Sequence, residues 1–246
     1  MPQDGSVQFE NLTNSIGVLV VSGPKSRDLI TRVSNDDFSN NNFKWLSSKL
    51  VDIGYAPVNA MRVNFVGELG WELHHPIEYQ NHIFDKLIEA GEDLGIKPFG
   101  IRAMNSLRVE KSYKLVGTEL SIEYSPYESG LDRFIHPNKG SFIGLESLNS
   151  WREKGFNNKL VTLEVHDTLD ADVLGNNPIY DDNQVVGRAT GGDFGFRLGK
   201  SIALGMIKPD LANVGQKLKI DILGKMHEAT ILEESPYDPE NKLLRA

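Results

Sequence analysis

The sequence contains no cysteine. That excludes disulfides, thiol catalysis and iron–sulfur ligation by this chain, and it leaves the redox compartment open. No apolar run approaches the ~18 residues that suggest a membrane span. Basic charge is also scarce: 26 Lys and Arg stand against 34 Asp and Glu, a net charge of -8. Such a chain gains little by neutralising phosphates, so neither nucleic acid nor a membrane is an expected partner. The opening residues, MPQDGSVQFENLT, have neither a basic n-region nor an apolar h-region. No secretory signal is expected, and a cytoplasmic setting is the default.

What is present fits an α+β protein. The 246 residues allow one large domain or two modest ones with a genuine core. IGVLVVSGP reads as a buried strand stopped by Gly23-Pro24, and KSRDLITRV after it has helical spacing through Leu29, Ile30 and Val33. The Asn-rich SNDDFSNNNF reads as an exposed loop. In FVGELGWEL, Gly67-Glu68 suits a tight two-residue turn. Met61, Val63 and Phe65 alternate into it, and Leu69, Trp71 and Leu73 alternate out of it. Trp71 shares a face with two leucines, so it reads as core.

Two helices should follow. In the first, Tyr79, Ile83, Phe84, Leu87 and Ile88 form an apolar stripe, with Gly95 placed to end it. The second runs through FGIRAMNSLRVEK, with Ile101, Ala103, Met104 and Leu107 on one arc and Arg102, Asn105 and Ser106 opposite. Arg108 lands inside the apolar arc, where an unpaired guanidinium is costly. Glu72 and Glu128 are conceivable partners, as is a buried pairing of Arg108 with Glu110. From about Lys159 short alternating runs take over: KLVTLEV, QVVGRAT, SIALGMI, QKLKIDIL and HEATIL, with Gly224-Lys225 a second two-residue turn. They predict a small barrel or sandwich. Ser147 to Asn158 reads as the linker, giving an α+β region over 1–150 and a β domain over 159–246.

Generic catalytic motifs fail. GFRLGKS, from Gly195 to Ser201, has three residues where a phosphate-binding loop needs four between its glycines, and it opens no helix. DFG at Asp193 to Gly195 lacks every other kinase element. His74 and His75 point to opposite strand faces, and His82 belongs to the next helix, so no metal is expected. On these grounds alone Glu68 is a solvated turn residue and Arg102 a surface helix residue.

Five stretches in order change that reading. GYAPVNAMRVNFVGELGWELHHP, GIRAMNSLRVEKSY, SPYESGL, KGSFIGLESL and VGRATGGDFGFRLGKSIALGMI resemble the folate-binding module of the glycine-cleavage T-protein (aminomethyltransferase) superfamily. The wording is nearest the C-terminal halves of dimethylglycine and sarcosine dehydrogenases. The resemblance implies a cloverleaf-like folate-binding domain followed by a C-terminal β-barrel. It also implies a reaction: tetrahydrofolate accepts a one-carbon unit at formaldehyde level from an N-methyl amine, giving 5,10-methylenetetrahydrofolate. FAD would belong to a partner amine-dehydrogenase module.

The resemblance assigns Glu68 to the pterin, whose ring N–H and amino group match the two acceptors of a carboxylate. Arg102 aligns with an arginine beside the folate, suited to the benzoyl-glutamate end or to a carboxylate. Tyr113 either lines the pocket or belongs to the core. Ser112 stands where the family has glycine, and Val116 where many relatives have an aromatic residue. The family's catalytic aspartate lies in a segment upstream of the matched stretches, no aspartate here sits in a matching context, and the catalytic residue is left unassigned. A non-catalytic folate-binding or assembly role in the same superfamily is the alternative. The iron–sulfur-related branch of it carries a cysteine where this chain has Ser141.

Overall fold

The computed structural model describes residues 4–168 and 170–246. The chain divides into two compact units, 1–99 with 241–246, and 100–240.

The first unit is a four-stranded antiparallel sheet backed by two helices. Its strands are β1 (Ile16–Ser22), β2 (Ser48–Ile53), β3 (Ala56–Met61) and β4 (Gly70–Pro76), in the order β1-β4-β3-β2. The helices are α1 (Ser26–Val33) and α2 (Gln80–Gly91). Ile53, Val58, Ala60, Trp71 and Leu73 face α1 and α2 through Leu29, Ile30, Ile83 and Leu87, all buried. Trp71 is core, as its spacing predicts. Phe38 meets it edge-on at 5.5 Å between ring centroids, and Phe43 at 6.2 Å.

Several expectations change here. The strand β1 is buried on one face only, because Val18 and Val20 stand on the uncovered side and are over 40% exposed. A run of valines hides this alternation, since both faces read as apolar. The Asn-rich loop keeps its asparagines outside but drives Phe38 and Phe43 fully inside. The helix α2 ends at Gly91 rather than near Gly95. A Cβ on Gly91 would sit 2.8 Å from Ile96, so the chain folds back tightly there.

The second unit begins with α3 (Ile101–Val109), passes through irregular chain and α4 (Leu145–Lys154), and ends in a six-stranded closed barrel. Its strands are β5 (Lys159–Val165), β6 (Pro178–Asp181), β7 (Gln184–Gly195), β8 (Lys200–Ile207), β9 (Lys217–Ile222) and β10 (Lys225–Leu232). The ring order is β10-β5-β8-β7-β6-β9, which leaves no free edge. Leu163, Ile179, Ala203, Ile207, Ile220 and Ala229 fill it. The β9–β10 turn is Leu223-Gly224, one residue earlier than Gly224-Lys225, because Ile222 pairs directly with Lys225. Both turn residues have positive φ, 52° and 82°, as a type I′ turn needs. Most of the predicted linker is α4, framed by Gly144 and Gly155, both at positive φ.

The burial of α3 agrees with the predicted arc at Arg108 and Arg102 but departs from it at Ile101, Ala103 and Ser106. Ile101 is 76% exposed and Ala103 is exposed, whereas Ser106, Arg108 and Val109 are buried. Polar groups win because β7 offers them partners. Ser106 Oγ donates to Phe194 O at 2.6 Å, and Asn105 Nδ2 to Asp193 Oδ2 at 2.9 Å.

Candidate functional site

Glu68 lies in the first unit, and its setting differs from the tight hairpin the sequence predicts. The β3–β4 ladder ends at the Met61–Glu72 pair, and Gly70 pairs with Ser22 of β1 instead. Residues 62–69 therefore form a wide loop. Arg62 causes the departure: it turns inward, is 2% exposed, and donates to Phe43 O at 2.7 Å and Ala246 O at 3.0 Å. Asn64 then organises the tip. Its Oδ1 accepts from Val66 N at 3.0 Å and Gly67 N at 2.9 Å, and its Nδ2 donates to Glu68 O. Gly67 takes φ 74°, which favours glycine. Glu68 is half-buried at the end of this braced loop. Sequence reasoning missed Asn64, although an Asn three residues before a Gly is a side-chain-to-backbone turn signal.

Arg102 and Tyr113 lie in the second unit. Arg102, on the first turn of α3, lines an open cavity of about 560 Å³ together with Ile101, Asn105, Asp172, Gly192 and Asp193. Tyr113 does not line that cavity. It is half-buried just past α3, with the Lys111 ammonium 5.9 Å from its ring centroid. Burial pushes its phenol above the ordinary value; Asp238 adds to this, while Arg133 and Arg197 oppose it. At neutral pH it is a neutral donor. The structure thus brings Arg102 to a cavity and leaves Tyr113 outside it.

A buried charge network supports this region. Arg108 pairs with neither Glu72, Glu128 nor Glu110. Its guanidinium donates to Asn105 Oδ1 at 2.9 Å and Tyr113 O at 2.8 Å, and lies 3.5 Å from Glu119. Burial lowers its pKa, and Glu119 and Asp193 pull it back up. Glu119, fully buried, also accepts from Leu115 N at 2.8 Å, Thr118 Oγ1 at 2.7 Å and Thr190 Oγ1 at 2.5 Å. Thr190 is the extra residue of a β-bulge between Ala189 and Gly191 in β7, which is what aims its hydroxyl at Glu119. Glu110 instead holds the β7–β8 connection: its carboxylate accepts from the Arg197 guanidinium, Arg197 N at 2.7 Å and Leu198 N at 3.2 Å. Glu128 accepts from Ser125 N and Asn158 N, and these bonds keep its pKa low against its burial.

Ser112 has φ 56°, a conformation that favours glycine. Its hydroxyl compensates, meeting Thr162 Oγ1 at 2.7 Å and accepting from Ser235 N at 3.0 Å. The GFRLGKS stretch closes the β7–β8 hairpin and opens a strand, as expected. His75 is buried between Leu73 O and Gln80 Oε1, while His74 lies on the opposite face beside Glu72.

An antiparallel sheet with backing helices, then a helix leading into a closed six-stranded barrel, defines a fold already solved. The glycine cleavage system aminomethyltransferase T of Bartonella henselae superposes with a TM-score of 0.79 at 18% identity, covering 91% of this chain and 60% of that one. The GCVT N-terminal domain family matches residues 1–139, and the glycine cleavage T-protein C-terminal barrel domain matches residues 158–238. The chain belongs to the glycine-cleavage T-protein family. Human mitochondrial dimethylglycine dehydrogenase is 37% identical over 229 residues, which are 93% of this chain and 26% of that protein. The aminomethyltransferase of Caldanaerobacter subterraneus subsp. tengcongensis is 32% identical, over 96% of this chain and 62% of its own. The chain thus spans about a quarter of the dehydrogenase and under two thirds of the transferase. No helix among the described residues is long and apolar enough to cross a membrane.

Proposed function

We propose that this chain is the folate module of a dimethylglycine- or sarcosine-dehydrogenase-like system. In this reading tetrahydrofolate takes up a formaldehyde-level unit from an N-methyl amine and leaves as 5,10-methylenetetrahydrofolate. FAD belongs to a partner dehydrogenase module, the setting is cytoplasmic, and the sequence modules are 1–150 and 159–246. Family membership supports the general reading, and the Asn64-braced loop supports the particular one. A half-buried carboxylate on a backbone held by three side-chain hydrogen bonds loses little freedom on binding, which favours a bidentate contact.

Each residue then has a defined task. Glu68 accepts from the two parallel donors of the pterin edge. Arg102 holds a carboxylate. Tyr113 offers a neutral phenol as donor. No residue of this chain is assigned the catalytic proton transfer.

The test is titration of reduced folate, by calorimetry or tryptophan quenching, into wild type, Glu68→Ala and Glu68→Gln. Loss of a charge-assisted bidentate contact should weaken binding about tenfold or more. Absence of saturable binding by the folded wild type, or equal affinity in all three proteins, overturns the reading. Where folate binds, methylenetetrahydrofolate formation with an FAD-dependent partner separates transfer from binding alone.

A further inference from the structure

We propose that residues 241–246 form a strap that positions the Glu68 loop, acting through Arg62 as the positioning residue. The inference deepens the reading of Glu68 and rests on it only for the effect on folate. The hold of the strap on the loop is measured without folate.

The strap belongs to the first unit. It turns back on itself, with Arg245 N donating to Asn241 O at 3.1 Å, and it buries Leu244. Its main chain supplies acceptors to two arginines. Arg62 donates to Arg245 O at 3.2 Å and to Ala246 O at 3.0 Å, and Arg27 donates to the same Ala246 O at 2.8 Å. Both guanidiniums also meet the Trp71 ring, Arg27 at 5.7 Å from its centroid and Arg62 at 5.8 Å. The Arg245 guanidinium stands 4.4 Å from the Trp45 ring centroid, which ties the strap to the segment that carries Phe43 O.

The donor inventory of Arg62 makes this a positioning contact. Outside the strap its guanidinium has one acceptor, Phe43 O at 2.7 Å, and its buried Nε has none among the described residues. Burial, and after it the charge of Arg27, lower its pKa, so its surroundings disfavour the cation they enclose. Loss of Arg245 O and Ala246 O would leave Nη2 unsatisfied beside a second cation. Turning out to water is then the cheaper arrangement. Strand alternation puts Arg62 on the same buried face as Ala60, so it reaches water only by rotating its own backbone. That rotation falls where the chain bends into the loop, since Val63 N donates to Met61 O at 2.8 Å. Two residues further on, Asn64 carries the three bonds that fix Val66, Gly67 and Glu68. The inward guanidinium is the anchor of the loop, and the strap completes it.

The test follows amide hydrogen exchange in the full chain, a variant lacking residues 241–246, Arg62→Lys, and the two changes combined. Lysine keeps the charge but replaces the planar fork by one nitrogen. Loss of the strap should speed exchange of the Val66 and Gly67 amides about tenfold, while amides of the β1–β4 ladder keep their rates. Arg62→Lys should loosen the same two amides, and deletion in that background should add little, because both changes act through one side chain. Unchanged loop exchange after deletion overturns the inference. Equal acceleration of loop and ladder amides, which marks general loosening, also overturns it, as does full additivity of the two changes. If the shortened chain does not fold, Arg62→Lys decides alone: a loosened loop over an unchanged ladder supports the strap, and an unchanged loop overturns it. Reduced folate is titrated into the same proteins, and the shortened chain should bind about tenfold more weakly. Loop amides released by the deletion, with no folate bound by wild type, overturn the Glu68 reading alone. Folate bound equally by wild type and the shortened chain overturns the strap alone.

Discussion

The two units are held together by different chemistry. In the first, Trp71, Phe38 and Phe43 form an aromatic centre with no measurable exposure at Trp71. In the second, α3 is anchored by buried charge: Arg108 on Glu119, and Arg197 on Glu110. An apolar core tolerates approximate partners, whereas a buried ion network fails when one member is lost, because the survivor stays charged and unpaired. A helix fixed in the second way keeps its surface-facing turns in one place, and Arg102 stands on such a turn.

The widest test of that contrast is a pair of truncations with opposite rescue behaviour. Trp71→Ala removes a fully buried indole and should cost about 3–5 kcal/mol. Glu119→Ala strands the Arg108 guanidinium and should cost about 3–5 kcal/mol as well. The difference lies in the second substitution. Arg108→Met with Glu119→Leu removes the stranded charge but leaves Leu115 N and the Thr118 and Thr190 hydroxyls without their acceptor, so it should recover only part of the loss, about 1–2 kcal/mol over Glu119→Ala. No single added substitution restores Trp71→Ala. Denaturant unfolding, with hydrogen exchange of β3–β4 and β7–β8 amides read separately, measures both. A double variant as unstable as Glu119→Ala would mean that the lost hydrogen bonds to Glu119, not the stranded charge, carry the stability.

The same contrast explains what the sequence discloses. The first unit's core follows apolar periodicity, so α1, α2 and Trp71 are legible from spacing, as are five of the six barrel strands of the second unit; the short β6 is not. Periodicity measures only the hydrophobic effect, and at α3 it selects Ile101 and Ala103 over Ser106, the reverse of the observed burial, and it places Arg108 inside without supplying its partner. Partners ten or more residues away settle that choice: Glu119 for Arg108, and Phe194 O for Ser106. The same holds at the candidate sites. Glu68 and Arg102 are singled out by the family resemblance, not by their own physics. The loop that holds Glu68 depends on Arg62 leaving the ladder, and no local pattern encodes that. Asp172 lies in a segment without periodicity, and nothing in the sequence brings it to Arg102.

A smaller effect tests how a departure from the family is accommodated. Ser112 adopts φ 56° and offsets it with two side-chain contacts, to Thr162 and Ser235. Ser112→Gly removes the strain together with the hydrogen bonds, two terms of about 1 kcal/mol each that nearly cancel. Ser112→Ala keeps the strain and loses the bonds, so it should fall below Ser112→Gly by about 1 kcal/mol. Thermal or denaturant unfolding of the three proteins ranks them. Equal stability of the Gly and Ala variants would show that backbone conformation is not what the serine compensates.

The smallest expected effect concerns the least buried charge in the comparison. In the folded protein the pKa of Asp172 is raised above its ordinary 3.8, chiefly by burial and then by Asp193, with Arg102 opposing. The folded state therefore holds its proton more tightly than the unfolded chain does. Well below 3.8 both states are protonated, and the group contributes no pH dependence. As pH rises from there through the folded value, the unfolded chain releases its proton first and stability declines; above that value the loss is complete and constant. Asp172→Asn abolishes the decline. Its unfolding midpoint, taken relative to wild type, should thus be higher at neutral pH than at pH 3, by a small margin because the side chain is exposed and screened. Arg102→Gln, which removes the opposing charge, should steepen the wild-type decline. A midpoint difference between wild type and Asp172→Asn that is the same at every pH would assign it to packing and detach Asp172 from the charges around it.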